Sequence, residues 1–361
     1  MGATAAIVAM GAVTSVGLSA AETAASVRSG VCRFAETPHP GQYLEPLVMG
    51  ALPEDMLPPA DPLVATFPGI SARQRRMLRL GGLALADLGK SLPPTQPPPL
   101  FLALPEGGTE EEATNNRDLL NLLSVQAEVK LDFAASKLFP AGRAAGIIAL
   151  KEAVELLSAE RYDYVLLGGV DTYWDEWLLQ SLDREGRVNS RFNSDGFVPG
   201  EGAAFLLLAS PKAVRNEEVS VLGSIESVGT SFEVGHRFSE EPYRGDGLAS
   251  AFATLFDSYA SRDHVGSVYA GFNGESYPAK SWGVAFLRHS ARFVEDFCFE
   301  HPADCIGDTG AAMAPIMLIL SIVGMRAGYR AGPCLVWCLS DHGECGALLV
   351  NSAATTQALR R

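Results

Sequence analysis

Short, wholly apolar runs alternate along this chain with longer stretches whose apolar positions recur at helical spacing. Residues 5–13, 100–104, 164–169 (YVLLGG), 265–271, 334–339 and 346–350 predict strands, and residues 203–208 have the length of a strand buried on both faces. Residues 20–29, 71–88, 141–157, 247–260 and 311–325 predict helices, and Ser71 suits the N-cap of its helix. A second series of strand and helix opens at residues 219–228. Two successive alternating series predict a layered α/β architecture with internal duplication. Residues 33–70, rich in proline and without a period, predict a long excursion over the surface. Residues 93–99 predict a proline connector, and residues 106–116, with four Glu and adjacent glycines, a solvated loop or helix start.

Composition narrows the class. The 361 residues suffice for one large or two fused domains, and 47% apolar with 19% charged residues describes an ordered chain. A net charge of −14 argues against nucleic acid or an anionic membrane as partner. The apolar N-terminus lacks a basic flank and is interrupted by Gly11, Thr14 and Gly17, so it does not read as a signal peptide. Residues 311–325 are too few to span a bilayer. A cytoplasmic location is expected. The six cysteines (32, 298, 305, 334, 338 and 345) read as buried reduced thiols. Cys338, His342 and Cys345 lack a second ligand pair, so neither metal nor cofactor is expected.

Residues 192–208, FNSDGFVPGEGAAFLLL, are the most informative stretch. Gly196, Gly200 and Gly202 alternate with Asp195 and Glu201 before a purely apolar run, which suits a tight loop feeding a core strand. The string also resembles the Asp-Gly-Phe-x-x-Gly-Glu-Gly-Ala signature of the β-ketoacyl synthases. Residues 7–17 (IVAMGAVTSVG), 164–171 (YVLLGGVD), 307–312 (GDTGAA) and 340–348 (SDHGECGAL) resemble further segments of that family, in family order. The resemblance implies a thiolase fold of two βαβαβαββ halves in five layers, α-β-α-β-α, with halves at 1–212 and 213–361. It also implies a dimer formed through the strand before the nucleophile helix, here about residues 127–138.

Family chemistry needs a cysteine at a helix N-terminus, where the dipole and free N–H groups favour thiolate and oxyanion. It also needs two histidines to drive decarboxylation and hold the enolate. By the resemblance the cysteine falls on Pro140, a residue suited to a first helical turn but unable to attack a thioester. Residues 269–275 hold no histidine, Asp308 stands at the second histidine and Ala303 near the family lysine. The joint loss implies that condensation has been abandoned. Asn273, Glu275, Asp308, His342 and Glu344 lie on loops that the family fold brings together. One reading makes Glu275 and Asp308 an acid–base or cation-binding pair. The favoured reading is a network that pairs with Arg143 or Lys280 and satisfies buried polar groups. His342, between Asp341 and Gly343, reads as a surface or hinge histidine. Tyr173, Trp174, Trp177 and Leu178 read either as lining of an acyl pocket or as packing.

The functional expectation is an inactive synthase-like protein that works by binding. Its partner would be a copy of itself, a related synthase-like chain, an acyl carrier protein, or an effector or adaptor protein. Residues 272–283 and 305–312 resemble loops of small thiolase-like proteins encoded in bacterial type VI secretion clusters, which implies effector handling. The alternative is an acyltransferase, decarboxylase or chain-length-factor-like subunit acting on acyl thioesters. A tunnel filled by Phe139, Phe272 or Trp282 favours binding, and an open one reaching Asn273 and Asp308 favours the enzyme.

Overall fold

Apolar strand runs and helical stretches come in the predicted order, twice. The computed structural model describes residues 5–42, 44–89, 96–107, 110–216, 219–261 and 263–353. The first series comprises β1 (Ala5–Thr14), α1 (Ala20–Arg28), β2 (Ala35–Pro40), β3 (Pro46–Met49), α2 (Pro62–Thr66), α3 (Ala72–Leu88), β4 (Leu100–Ala103) and α4 (Glu110–Ala127). It continues with β5 (Lys137–Phe139), α5 (Ala145–Ser158), β6 (Tyr164–Thr172), α6 (Glu176–Arg184), β7 (Glu201–Ala209) and α7 (Pro211–Asn216). The second comprises β8 (Gly223–Phe232), α8 (Asp246–Ser258), β9 (Val265–Ala270), α9 (Ser276–His289), β10 (Phe293–Glu300) and α10 (Ala303–Ile306). It ends with α11 (Met313–Arg326), β11 (Cys334–Leu339) and β12 (Glu344–Ser352).

Ten strands form one mixed sheet in the order β10-β9-β11-β12-β8-β1-β7-β6-β4-β5. Its two arms repeat one another. β4 pairs in parallel with β5 and β6, as β9 does with β10 and β11. β7 joins β6 to β1 antiparallel, as β12 joins β11 to β8. The arms meet where Ala5, Ala6 and Ile7 of β1 pair with Ile225, Ser224 and Gly223 of β8. Leaving out the short helices and the β2/β3 hairpin, each arm reads βαβαβαββ.

Helices α5 and α11 pack on strands of both arms, whereas α3 and α4 cover the first arm and α8 and α9 the second. That is the α-β-α-β-α layering that the family resemblance implies. A helix packed between the two arms of the sheet must be apolar all round, and 12 of the 14 residues of α11 are buried. Helix α3 starts at a full capping box, Ser71 with Gln74, which satisfies two otherwise unpaired N–H groups.

One expectation needs correction, and helices stand where the sequence left the conformation open. Residues 33–70 are no mere surface excursion, because they carry the β2/β3 hairpin and α2. Leu47, Met49, Leu52, Leu57 and Val64 within it are buried against the Tyr173–Phe197 region and α3. Its prolines hid the pattern, since burial there follows tertiary covering rather than a period. Residues 110–127 form a full helix and residues 276–289 another, the latter with Pro278 harmlessly in its first turn. The aromatic stretch is partly helical: Asp175 caps α6 by accepting from Leu178 N at 2.9 Å. Residues 93–95 of the expected connector lie outside the described residues. Among the described residues no helix is long and apolar enough to cross a membrane.

Candidate functional site

Parallel strands direct their carboxyl ends to one side of a sheet, and the loops there build sites in α/β folds. Here Glu106 follows β4, Arg143 follows β5, Tyr173 follows β6, Asn273 and Glu275 follow β9, and Asp341 follows β11. Asp308, between α10 and α11, joins them.

The entry to α5 decides which side chain reaches this point. Pro140 is exposed and stands before a 3-10 turn, Gly142–Ala144, so it does not occupy the first turn of α5. Gly142 has φ +60°, a conformation costly for residues with a Cβ, and a Cβ there would lie 2.3 Å from the Glu106 side chain. The bend turns Arg143 inward and buries it. Ser340 Oγ ties the entry down, accepting from Ala144 N at 2.9 Å and donating to Ala141 O at 2.5 Å.

Three arginines and three carboxylates fill the junction. Arg143 Nε donates to Asp308 Oδ2 at 2.7 Å and Nη1 to Asp341 Oδ2 at 3.1 Å. Arg187 grips Glu275 with two bonds of 3.0 Å and also reaches Asp341 at 3.0 Å. Arg237 Nε donates to Asp341 Oδ1 at 2.9 Å, while its Nη2 lies 3.0 Å from Glu275 without a hydrogen-bonding angle. Asn273 Nδ2 bridges Glu275 at 3.0 Å and Asp308 at 2.8 Å. Asp308 is fully buried, and its other oxygen accepts from Gly310 N at 2.9 Å. Buried ions persist where they are paired and hydrogen-bonded on every side. Six charges cancel here.

Asn273, Glu275 and Asp308 are thus brought together as a buried network, with Arg143 as partner and without Lys280, which bonds Tyr243 O instead. His342 remains half exposed at the rim, its Nδ1 2.6 Å from Glu106 Oε2 and its ring 4.8 Å from Phe238. Glu344 stands apart, opposite Phe232 at the start of β12. Arg187, Arg237, Asp341 and Glu106 escaped sequence reasoning. A lone arginine between Gly186 and Val188 was the faint signal for the first of these. Above the network lies a cleft of about 250 Å³, with Arg73 and Asp171 on one wall and Trp177 and Phe238 on its rim. Phe272 and Trp282 pack around Trp337 in the aromatic core of the second arm, and Phe139 packs on Phe101. None of the three lines the cleft.

Burial pushes the Asp341 carboxyl upward, but Arg143, Arg187 and Arg237 outweigh it and hold the group well below the usual carboxylate range. A depressed folded pKa contributes stability that is complete above the unfolded value, about 4, and is lost as pH falls through the folded value. Stability is therefore expected to decline progressively below about pH 4. Urea midpoints measured between pH 7 and pH 2 should fall less steeply in Asp341→Asn; parallel curves would refute the assignment.

Among the described residues no group of three or more His, Cys, Asp or Glu is arranged to hold a metal ion. The thiol beside the network, Cys338 on β11, is fully buried; burial first, and the nearby Asp308 carboxylate second, keep it protonated. Four cysteines are buried as expected, but Cys32 and Cys298 are exposed.

The family model "Beta-ketoacyl synthase, N-terminal domain" matches residues 115–213. No curated protein matches the sequence. A ketosynthase from module 6 of the bacillaene synthase from Bacillus subtilis 168 aligns at TM-score 0.78 and 15% identity, covering 97% of this chain and 72% of that one. The ishigamide ketosynthase/chain length factor aligns at TM-score 0.76 and 14% identity, covering 97% and 99%. A type II PKS acyl-carrier protein in complex with its ketosynthase bound to the hexaketide aligns at TM-score 0.74 and 13% identity, covering 98% and 100%. At these identities the likeness is one of fold. The chain has the mixed α/β, thiolase-like fold of the ketosynthases, and its β-ketoacyl synthase match in sequence spans residues 115–213.

Proposed function

We propose that this chain is a ketosynthase-like protein that does not condense acyl units and works by binding. One observation carries the reading. The Arg143–Asp308 pair occupies the head of α5, where condensation needs a thiolate exposed to its substrate. In this reading Arg143, not Pro140, stands at the nucleophile position, and Asp308 stands at one histidine position. A guanidinium saturated by carboxylates is neither nucleophile nor base. The segments 1–212 and 213–361 act as two halves of one unit that needs no cofactor or metal.

The partner in this proposal is a second copy or a related synthase-like chain, joined at the β5 edge of the sheet, with an acyl carrier protein or an effector or adaptor protein as a further client. Neighbours in fold that include a ketosynthase/chain length factor and an acyl-carrier-protein complex support such partners. An accessory role in type VI secretion, in the cytoplasm, rests on the loop resemblance at 272–283 and 305–312. A second reading, an acyltransferase, decarboxylase or chain-length-factor-like subunit, draws on the cleft beside Glu106 and His342.

Incubation with acyl-coenzyme A and acyl-loaded carrier protein, followed by intact-mass spectrometry, is expected to leave the protein unmodified. A stable acyl adduct on any cysteine overturns the non-condensing reading. Light scattering of the same preparation tests association: a monomer at micromolar concentration that stays monomeric with carrier protein added defeats the binding reading.

A further inference from the structure

We propose that Cys32 and Cys305 form an oxidisable thiol pair, able to close a disulfide clasp between the segment after α1 and the loop that carries Asp308. This stands independently of the functional reading above. Cys32 is exposed, just beyond the end of α1, and its Sγ donates to Asp304 O at 3.1 Å. Cys305, the next residue, is buried in α10, and the Asp304 carbonyl that accepts from Cys32 Sγ is the one bonded to the Cys305 nitrogen. Helices α1 and α10 pack together, so the contact belongs to the fold rather than to one loop's freedom.

The remaining sulfurs have no such arrangement. Cys298 and Cys334 both register with Ser267 from opposite sides of β9. Two strand spacings, about 9.5 Å, separate them, beyond the roughly 7 Å limit that a disulfide tolerates between Cα atoms. Cys338 and Cys345 belong to cores on opposite faces of their strands. One pair out of six cysteines is poised.

The oxidant is a small-molecule disulfide. The Cys32 thiol loses its proton to water, and the thiolate attacks one sulfur of glutathione disulfide. A mixed disulfide forms and one glutathione thiolate leaves. Cys305 then loses its proton, attacks the Cys32 sulfur and expels the second glutathione. Two protein S–H bonds become one S–S bond, and the glutathione disulfide is reduced to two thiols. Exposure makes Cys32 the first attacker. Burial, with the Cys32 thiolate adding to it, pushes the Cys305 thiol up to about 12. Capping Cys32 removes the second of these causes just before Cys305 must ionise. The product ties α10 to the end of α1, three residues before Asp308, and so stiffens the segment that holds Arg143 in place.

The test uses the full chain, reduced and then treated with glutathione disulfide. The expected product is lighter by two hydrogens, yields a Cys32–Cys305 peptide on non-reducing digestion, and reverts with dithiothreitol. Hydrogen exchange through residues 303–310 should be slower in the oxidised protein. Cys298→Ser should form the same cross-link. Cys32→Ser, at an exposed position that does not threaten folding, should form none, and Cys305→Ala should accumulate glutathione on Cys32. Retention of glutathione on Cys32 in the unmutated protein, without closure, overturns the proposal. So does a cross-link that survives Cys32→Ser.

Discussion

Asp308→Ala is expected to cost about 3–5 kcal/mol of folding stability, the usual penalty for stranding one member of a buried ion pair. The carboxylate is fully buried and serves Arg143, Asn273 and Gly310 at once. Without it the Arg143 guanidinium keeps Asp341, but that acid is already shared with Arg187 and Arg237. Truncation also leaves a small void that the rigid junction of α5, α10 and α11 fills poorly. Urea unfolding followed by circular dichroism measures the loss. The double variant Arg143→Met/Asp308→Leu removes both charges and should recover most of it, because apolar replacement of a whole buried pair is often neutral. A loss below about 1 kcal/mol in the single variant would show that the pair is solvated rather than buried.

Glu201→Ala should be comparably damaging, by about 3–5 kcal/mol, though it lies outside the candidate site. Glu201 begins β7 with no exposed surface, and Arg76 Nε and Nη2 each donate to it at 2.7 Å. Thr172 Oγ1 donates at 2.6 Å and Leu52 N at 2.7 Å, so one carboxylate joins β7, the end of β6, α3 and the segment before α2. Arg76 has a second acid, Glu54, whose side chain is 69% exposed. Water screens that pair, so Glu54→Ala should cost below about 1 kcal/mol. The contrast is the test: equal losses at Glu54 and Glu201 would mean that burial does not govern the arginine's partners.

Local rules and motif order carried the fold a long way. Strands β7, β9 and β11 were legible because runs buried on both faces leave no polar alternation to confuse them. The Ser71 cap marked α3, and the succession of synthase-like segments from residue 7 to 348 carried the duplicated topology. The β2/β3 hairpin was not legible, since its apolar residues are buried by other parts of the chain and not by a period of their own. Helix α9 was hidden by Pro278 and by aromatic residues that serve a core as well in a strand as in a helix.

The candidate site divides along the same line. Asn273, Glu275 and Asp308 were singled out together because the resemblance implies that their loops converge. Who the partners are was not legible. Arg143 and Asp308 lie 165 positions apart and Arg187 and Glu275 lie 88 apart, separations that no local periodicity encodes. Which side chain at the head of α5 turns inward was not legible either: the positive-φ bend at Gly142 leaves Pro140 outside and turns Arg143 in. By itself, then, the sequence determined most of the core strands and long helices, because burial on one or both faces is written into consecutive residues, and the order of its synthase-like segments implied their doubling. Only the tertiary structure decided which charges meet, because a buried ion is satisfied by whatever the packed loops bring within about 3 Å of it.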